Sequence, residues 1–297
     1  MRKLKSIRRD RARETAAAYA FLAPELLLLL LFVFVPMIYA FRLSFTDWNG
    51  YAQIKNFIGL GNYETLLREA AFWASVRITA VYTVGYVALL VAVSLALALL
   101  NNAVLGRAGQ FYRSFIFAPH AVSLIVAGIV WAFIFHNQKG LLNQALRAVG
   151  LPRQLFLASR SQALYCVMVM SLWISCGYYM ILFLAALKDI PRSQYEAASI
   201  DGAGAMTKFV YITLPGIKDT SLFVFVVSTI GALQLFEPIQ VITHGGPAQS
   251  TYVVVKYIYD TAFWLQRMGK ASAAAFILFL IILVLTLIQL KLSRMED

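Results

Sequence analysis

The chain has 297 residues, 61% of them hydrophobic and only 13% charged. Soluble domains carry about 25% charged residues, so this composition excludes an ordinary soluble domain and marks a membrane protein. A net charge of +12 would suit a nucleic-acid binder, but the basic residues favour one side of a set of apolar runs. The partner expected is therefore the lipid bilayer, with no nucleic acid.

Residues 1–15 form a basic tail, and the first 14 carry seven Lys or Arg against two acids. That excess predicts a cytoplasmic N-terminus. The apolar run from Thr15 to Phe41 is too long for the core of a signal peptide and lacks an obvious small-residue cleavage site. Six spans are predicted from runs near the length that crosses about 30 Å: 16–41, 78–100, 114–135, 164–187, 221–243 and 271–290. Residues 16–292 then make one all-α transmembrane domain, and 293–297 a short cytoplasmic C-terminus. With both ends inside, the inner segments hold 15 Lys or Arg and the outer segments 11, in the sense of the positive-inside rule. Glu25 and Glu237 are the only acids within the spans. Cys166 and Cys176 share one apolar run, which excludes a disulfide framework and a zinc site. His120 reads as a packing residue, and His136 and His244 as loop residues without metal-ligand spacing. The outer segments carry Trp48-Asn49-Gly50, Gly59-Leu60-Gly61-Asn62-Tyr63, Gly140 with Asn143, and His244-Gly245-Gly246-Pro247, which read as turn chemistry. Gly269-Lys270 is followed by Ala271 without the upstream glycines of a phosphate-binding loop. This chain is therefore expected to hydrolyse no ATP by itself and to hold no cofactor of its own.

The most specific stretch lies between the fourth and fifth spans. It reads EAASIDGAGAMTKFVYITLP over 196–215. A short helix is expected to start at Ser193 or Gln194, with Glu196 in its first turn, where the helix dipole favours an acid. Gly202 and Gly204 should turn the chain, and a second short amphipathic helix should run to Pro215. Glu196, Ala197, Ala198, Asp201, Gly202, Ala203, Phe209, Ile212, Leu214 and Pro215 match, in order and spacing, the EAA signature of binding-protein-dependent ABC importer permeases. The chain resembles that family. One departure is Lys218-Asp219, where the family often has a proline soon after the Leu-Pro. FLAP at 21–24, SFTDW at 44–48, the run at 59–63, Trp131 with Gly140 and Asn143, and THGGP at 243–247 are similar to the carbohydrate branch. That branch includes permeases for maltose, other oligosaccharides and glycerol-3-phosphate. The likeness extends over residues 15–292.

The resemblance implies a bacterial or archaeal inner-membrane subunit that imports a carbohydrate by alternating access. Residues 196–215 would be a coupling loop, with Glu196, Ala197, Ala198, Asp201, Gly202, Leu214 and Pro215 set against an ATP-binding subunit. The implied partners are a second permease in a heterodimer, two copies of that ATP-binding subunit, and an extracytoplasmic solute-binding protein. ATP and magnesium would sit on the partner. For the substrate path, span four offers Trp173, Gly177 and Tyr178 at mid-depth. Aromatics there face protein or a cavity rather than headgroups. Two readings stand, core packing and a flat ring beside a glycine gap that suits a sugar. Span five offers Ser228, Gly231, Gln234 and Glu237 at spacing three, a series that winds around a regular helix, with Glu237 near the outer boundary. Polar groups at such depth are costly unless they face a cavity or a partner. A lone secondary transporter would instead want midplane acids or paired repeats, and a membrane enzyme a cluster of His, Asp or Glu. Neither is visible. A phosphorylated substrate would want Arg or Lys in the path, and the spans show none.

Overall fold

The computed structural model describes residues 2–51, 55–104 and 106–294. Among these the regular structure is helical, with a single antiparallel bridge between Thr46 and Phe57. Two compact units are present, residues 1–68 with 260–276 and residues 69–259 with 277–297.

In the first unit α1 (Arg2–Leu29) passes through a π-helical turn, Leu30–Phe34, into α2 (Val35–Leu43). Residues 2–15 of the basic tail are thus helical and continuous with the first span. None of the apolar window within Ala18–Leu43 is buried inside the protein. After α2 the chain is tied into a polar knot. Asn62, the second residue of α3 (Gly61–Arg68), donates its amide to the carbonyls of Ser44 at 2.8 Å and Thr46 at 2.7 Å. The Tyr63 and Ser44 hydroxyls meet at 2.7 Å. The run 59–63, read from sequence as a turn, and the run 44–48 are two halves of one hydrogen-bonded joint.

The second unit is built on two long helices, α4 (Ala70–Ala103) and α8 (Ala163–Asp189). Between them in sequence come α5 (Gly106–Phe117), α6 (Leu124–Ile134) and α7 (Leu141–Ala148). Lipid is as apolar as leucine, so close packing rather than water exclusion must hold these helices together. Tyr82, Val87, Leu90, Val167, Met168 and Ile239 form one buried cluster, and Ala98, Met180, Phe183, Leu187, Ile217 and Val224 another. Polar pins add to it. Thr79 Oγ1 accepts the Val254 N–H at 2.9 Å, which ties α13 (Val254–Tyr259) to α4. Gln289, on α14 (Met268–Arg294), donates to Thr229 Oγ1 at 3.1 Å.

Four helices are straight candidates for spans, Ala18–Leu43, Ala70–Ala103, Ala163–Asp189 and Met268–Leu292, and the count reaches six when two bent pairs are included. The predicted third span, 114–135, is not one rod. Its halves, Gly106–Ala121 and Leu124–Ile134, meet at 97°, with extended backbone at Val122 and Ser123 between them. Pro119 has no N–H to donate, and the α-helix gives way beside it to the 3-10 turn Ala118–Ala121 that ends the first half. The predicted fifth span, 221–243, also differs. Its helix, α12 (Lys218–Leu233), stops before Gln234 and regular structure resumes near Glu237, running through a π-helical turn, Ile239–Thr243.

Candidate functional site

A cavity of about 210 Å³ opens in the second unit. Tyr82 and Tyr86 reach it from α4, Ser171, Ser175 and Tyr179 from α8, and Ser228 and Gly231 from α12, with Gln234 and Glu237 from the break that follows. Tyr82 and Tyr86 stand one turn apart on α4, and their rings stack at 5.3 Å with 12° between planes. Among the described residues no lysine or arginine lines the cavity, and Glu237 is its one acid. Space lies open above the Gly231 Cα, with nothing within 4 Å of where a Cβ would stand. Aromatic faces, hydroxyls and one amide in an otherwise apolar bundle suit a neutral, polyhydroxylated ligand.

Of the six residues expected on a path, Gly231, Gln234 and Glu237 line this cavity together. Spacing three drifts by about 60° per step on a regular helix, so Ser228 to Glu237 should have wound away from one another. The break after Leu233 stops that drift and leaves all four on one wall. Glu237 therefore sits past the helix end in a second helical segment, and its depth does not follow from 1.5 Å per residue.

The span-four residues lie elsewhere. Trp173 lines a different, almost wholly apolar pocket of about 490 Å³ with Leu97, Phe115, Pro119 and Cys176, and meets Trp131 edge-on at 5.7 Å. Gly177 leaves no gap for a ligand, because a Cβ there would stand 2.2 Å from the Ile116 carbonyl oxygen. The glycine is there so that α5 can touch α8. Tyr178 stacks on His120 at 4.9 Å, which gives that histidine its packing role. Sequence reasoning missed Tyr82, Tyr86, Ser171 and Ser175. The signal was present in Tyr82 and Tyr86, mid-span aromatics four residues apart.

The polar loop is a second candidate site. Its first helix, α9 (Arg192–Ile200), starts just after Pro191, one residue before the earliest predicted start. Glu196 consequently falls in the second turn, not the first, and it is exposed. The end of α9 is closed by two reversed bonds, Ala203 N–H to Ala198 O at 2.8 Å and Gly202 N–H to Ser199 O at 3.2 Å. That pattern is a Schellman cap, and it needs a left-handed residue at the first position past the cap. Gly202 supplies it with φ +76°. α10 (Ala205–Lys208) then runs through a π-helical turn, Phe209–Thr213, into α11 (Leu214–Gly216), one residue past Pro215. The two halves are tied together. Lys208 Nζ donates to Ser199 Oγ at 2.7 Å, and the Tyr195 hydroxyl meets Thr213 Oγ1 at 2.9 Å. Ile217, just beyond, is buried with Ile190, so the loop is seated on the ends of α8 and α12. Glu196 opens onto a cleft of about 660 Å³ that also receives Arg113, Lys188, Arg192 and Tyr195. Ile200, Met206 and Tyr211 are exposed at 74% or more, so the loop presents large apolar side chains outward.

Apolar spans around a polar cavity, joined by a stiff loop that presents large apolar side chains, define a multi-pass membrane transport subunit. The chain belongs to the binding-protein-dependent transport system inner membrane component family, whose pattern matches residues 88–295. It is 35% identical over 276 residues, 92% of this chain and 94% of the relative, to the probable ABC transporter permease protein YurN of Bacillus subtilis (strain 168). It is 34% identical over 280 residues, 94% of this chain and 88% of the relative, to the arabinooligosaccharides transport system permease protein AraP of the same organism. A solved bacterial alginate ABC transporter, in complex with alginate pentasaccharide-bound periplasmic protein, contains a chain that superposes with a TM-score of 0.84. That match has 25% identity and covers 100% of this chain and 98% of the other.

Proposed function

We propose that this subunit moves a neutral sugar or oligosaccharide across the inner membrane by alternating access, and that the tyrosine-lined cavity is its share of the path. The observation that carries the reading is the lining: three tyrosines, three serines, Gln234 and Glu237, with no cation. Sugar rings stack on aromatic faces and their hydroxyls need both donors and acceptors. An anionic substrate would leave Glu237 as an uncompensated like charge. At about 210 Å³ the cavity falls below the roughly 300–1,000 Å³ of ordinary ligand pockets. This chain then contributes one wall, and a second permease in a heterodimer the other.

The topology proposed is six spans with both termini in the cytoplasm, the third supplied by the bent pair Gly106–Ala121 with Leu124–Ile134 and the fifth by α12 with the segment that continues through Thr243. The loop 196–215 is then cytoplasmic. Glu196, Ala197, Ala198, Asp201, Gly202, Leu214 and Pro215 dock it on an ATP-binding subunit, present in two copies, which holds ATP and magnesium. The loop's cross-ties support a rigid-body role. Closure of the ATP-binding subunits moves the loop as one piece, and α8 and α12, to which it is seated, follow. A binding protein delivers the sugar at the opposite face.

The experiment is reconstitution of the assembled transporter with its binding protein, measuring ATP hydrolysis stimulated by neutral and by acidic oligosaccharides. Stimulation by acidic ligands alone would overturn the charge argument. Loss of stimulation in Gln234→Ala, with assembly and basal hydrolysis retained, would support the assigned cavity.

A further inference from the structure

The first unit holds a pocket that the transport reading does not use. It measures about 410 Å³ and is lined by Tyr39, Arg42, Phe45, Lys55 and Phe57, among others, and no acid lines it. Lys55 is not a free surface cation. Its ammonium donates to the Tyr39 hydroxyl and lies over the rings of Trp48 at 4.3 Å and Tyr39 at 4.8 Å. Such contacts hold a flexible lysine in place while leaving it charged. Arg42 follows Tyr39 by three residues in the last turn of α2, on the same helix face. Asp47, on the same loop, is already occupied: its carboxylate accepts the Asn56 N–H and the Asn56 amide, both at 3.0 Å.

A held lysine and an arginine on one pocket, with no acid among the described lining residues, favour an anion, and phosphate oxygens accept from both kinds of cation. The surroundings identify what the anion is attached to. Aromatic rings flank the pocket, it closes the end of a span, and the apolar window of that span, Ala18–Leu43, is wholly unburied. Tyr, Trp, Lys and Arg at a span end form the belt that meets the headgroup layer. We propose that this pocket binds the phosphate of an anionic phospholipid headgroup, held between Arg42 and Lys55, with the acyl chains lying along the first span. The leaflet concerned, the outer one, rests on the topology proposed above; the binding does not.

The test uses the assembled transporter, purified in detergent and titrated with phosphatidylglycerol, phosphatidylcholine or inorganic phosphate, with bound lipid counted by native mass spectrometry. Phosphatidylglycerol is expected to bind in preference to phosphatidylcholine and to resist millimolar phosphate. Each basic residue near a membrane surface contributes roughly five-fold, so Arg42→Gln with Lys55→Gln should weaken the tight site about 25-fold. The control pair Arg77→Gln with Lys139→Gln, exposed cations outside this unit, should not. Equal binding of both lipids, displacement by free phosphate, or equal losses in the two double variants would overturn the proposal. Should the first double variant not assemble, the lipid preference of the unaltered transporter decides alone. Membrane sidedness is read separately by cysteine labelling, so a failure of the topology and a failure of the lipid site cannot be confused.

Discussion

Gly202 carries the sharpest consequence of a single side chain. Its φ of +76° completes the cap that closes α9, and a β-branched residue there costs about 1–3 kcal/mol in strain. Gly202→Val is expected to loosen the loop and to lower retention of the ATP-binding subunit or its stimulated hydrolysis; full retention with full stimulation would reduce the loop to a connector. Glu196→Lys tests the same surface by charge. It adds a fourth cation to a cleft already holding Arg113, Lys188 and Arg192, and co-purification of the ATP-binding subunit should fall. Gly177 is of another kind. A Cβ there would stand 2.2 Å from the Ile116 carbonyl oxygen, so Gly177→Val should overpack the α5–α8 contact by about 1–3 kcal/mol. Lower thermal stability, with the defect absent in a surface control such as Leu151→Ala, is the expected readout. A paired comparison separates the two pockets near α8. Gln234→Ala should lower sugar transport, and a loss confined to Trp173→Ala would instead move the path to the apolar pocket behind Pro119.

Among the elements, the straight helices were legible and the broken ones were not. Predicted spans 78–100, 164–187 and 271–290 fall inside α4, α8 and α14, because an uninterrupted apolar run of that length has no other way to satisfy its backbone in lipid. The corner at Val122–Ser123 follows a 3-10 turn that contains Pro119, a residue that cannot donate to a helix. The break after Leu233 has a local cause in Pro238, which cannot donate to the Gln234 carbonyl four residues back and would clash with it in a continuous helix; reading 221–243 as one span passed over that signal. Outer loops were legible as turns but not as joints, since hydrogen bonds such as those of Asn62 and Asn143 depend on what the fold brings near. Asn143 binds the carbonyls of Asn137 and Gln154 and accepts from the Gln154 N–H. Asn143→Leu should therefore cost about 2–4 kcal/mol, read as a lower Tm; an unchanged Tm would show that water replaces these bonds. The membrane topology is checked at this scale too. A single cysteine near Ala203 should label only from the cytoplasm and one near Ala248 only from outside, and same-side labelling of both would end the six-span reading.

For the whole molecule, family membership was legible because ten matching positions crowd into one short loop. The location of the cavity was only half legible. Gly231, Gln234 and Glu237 were singled out as part of a series at spacing three and line one cavity, but the tyrosines of α4 belong to a different span, and only packing reveals which helices share a wall. The break in the fifth span also sets how two of these side chains are held. Where a helix stops and another begins, main-chain carbonyls and N–H groups lack partners within the helix. Here that interruption lies at the cavity wall, between Gln234 and Glu237. On the proposed path, the side chains of Gln234 and Glu237 are therefore carried by a hinge between two helical segments rather than by one rigid rod. A change in the backbone at the break would shift both against a substrate without replacing either.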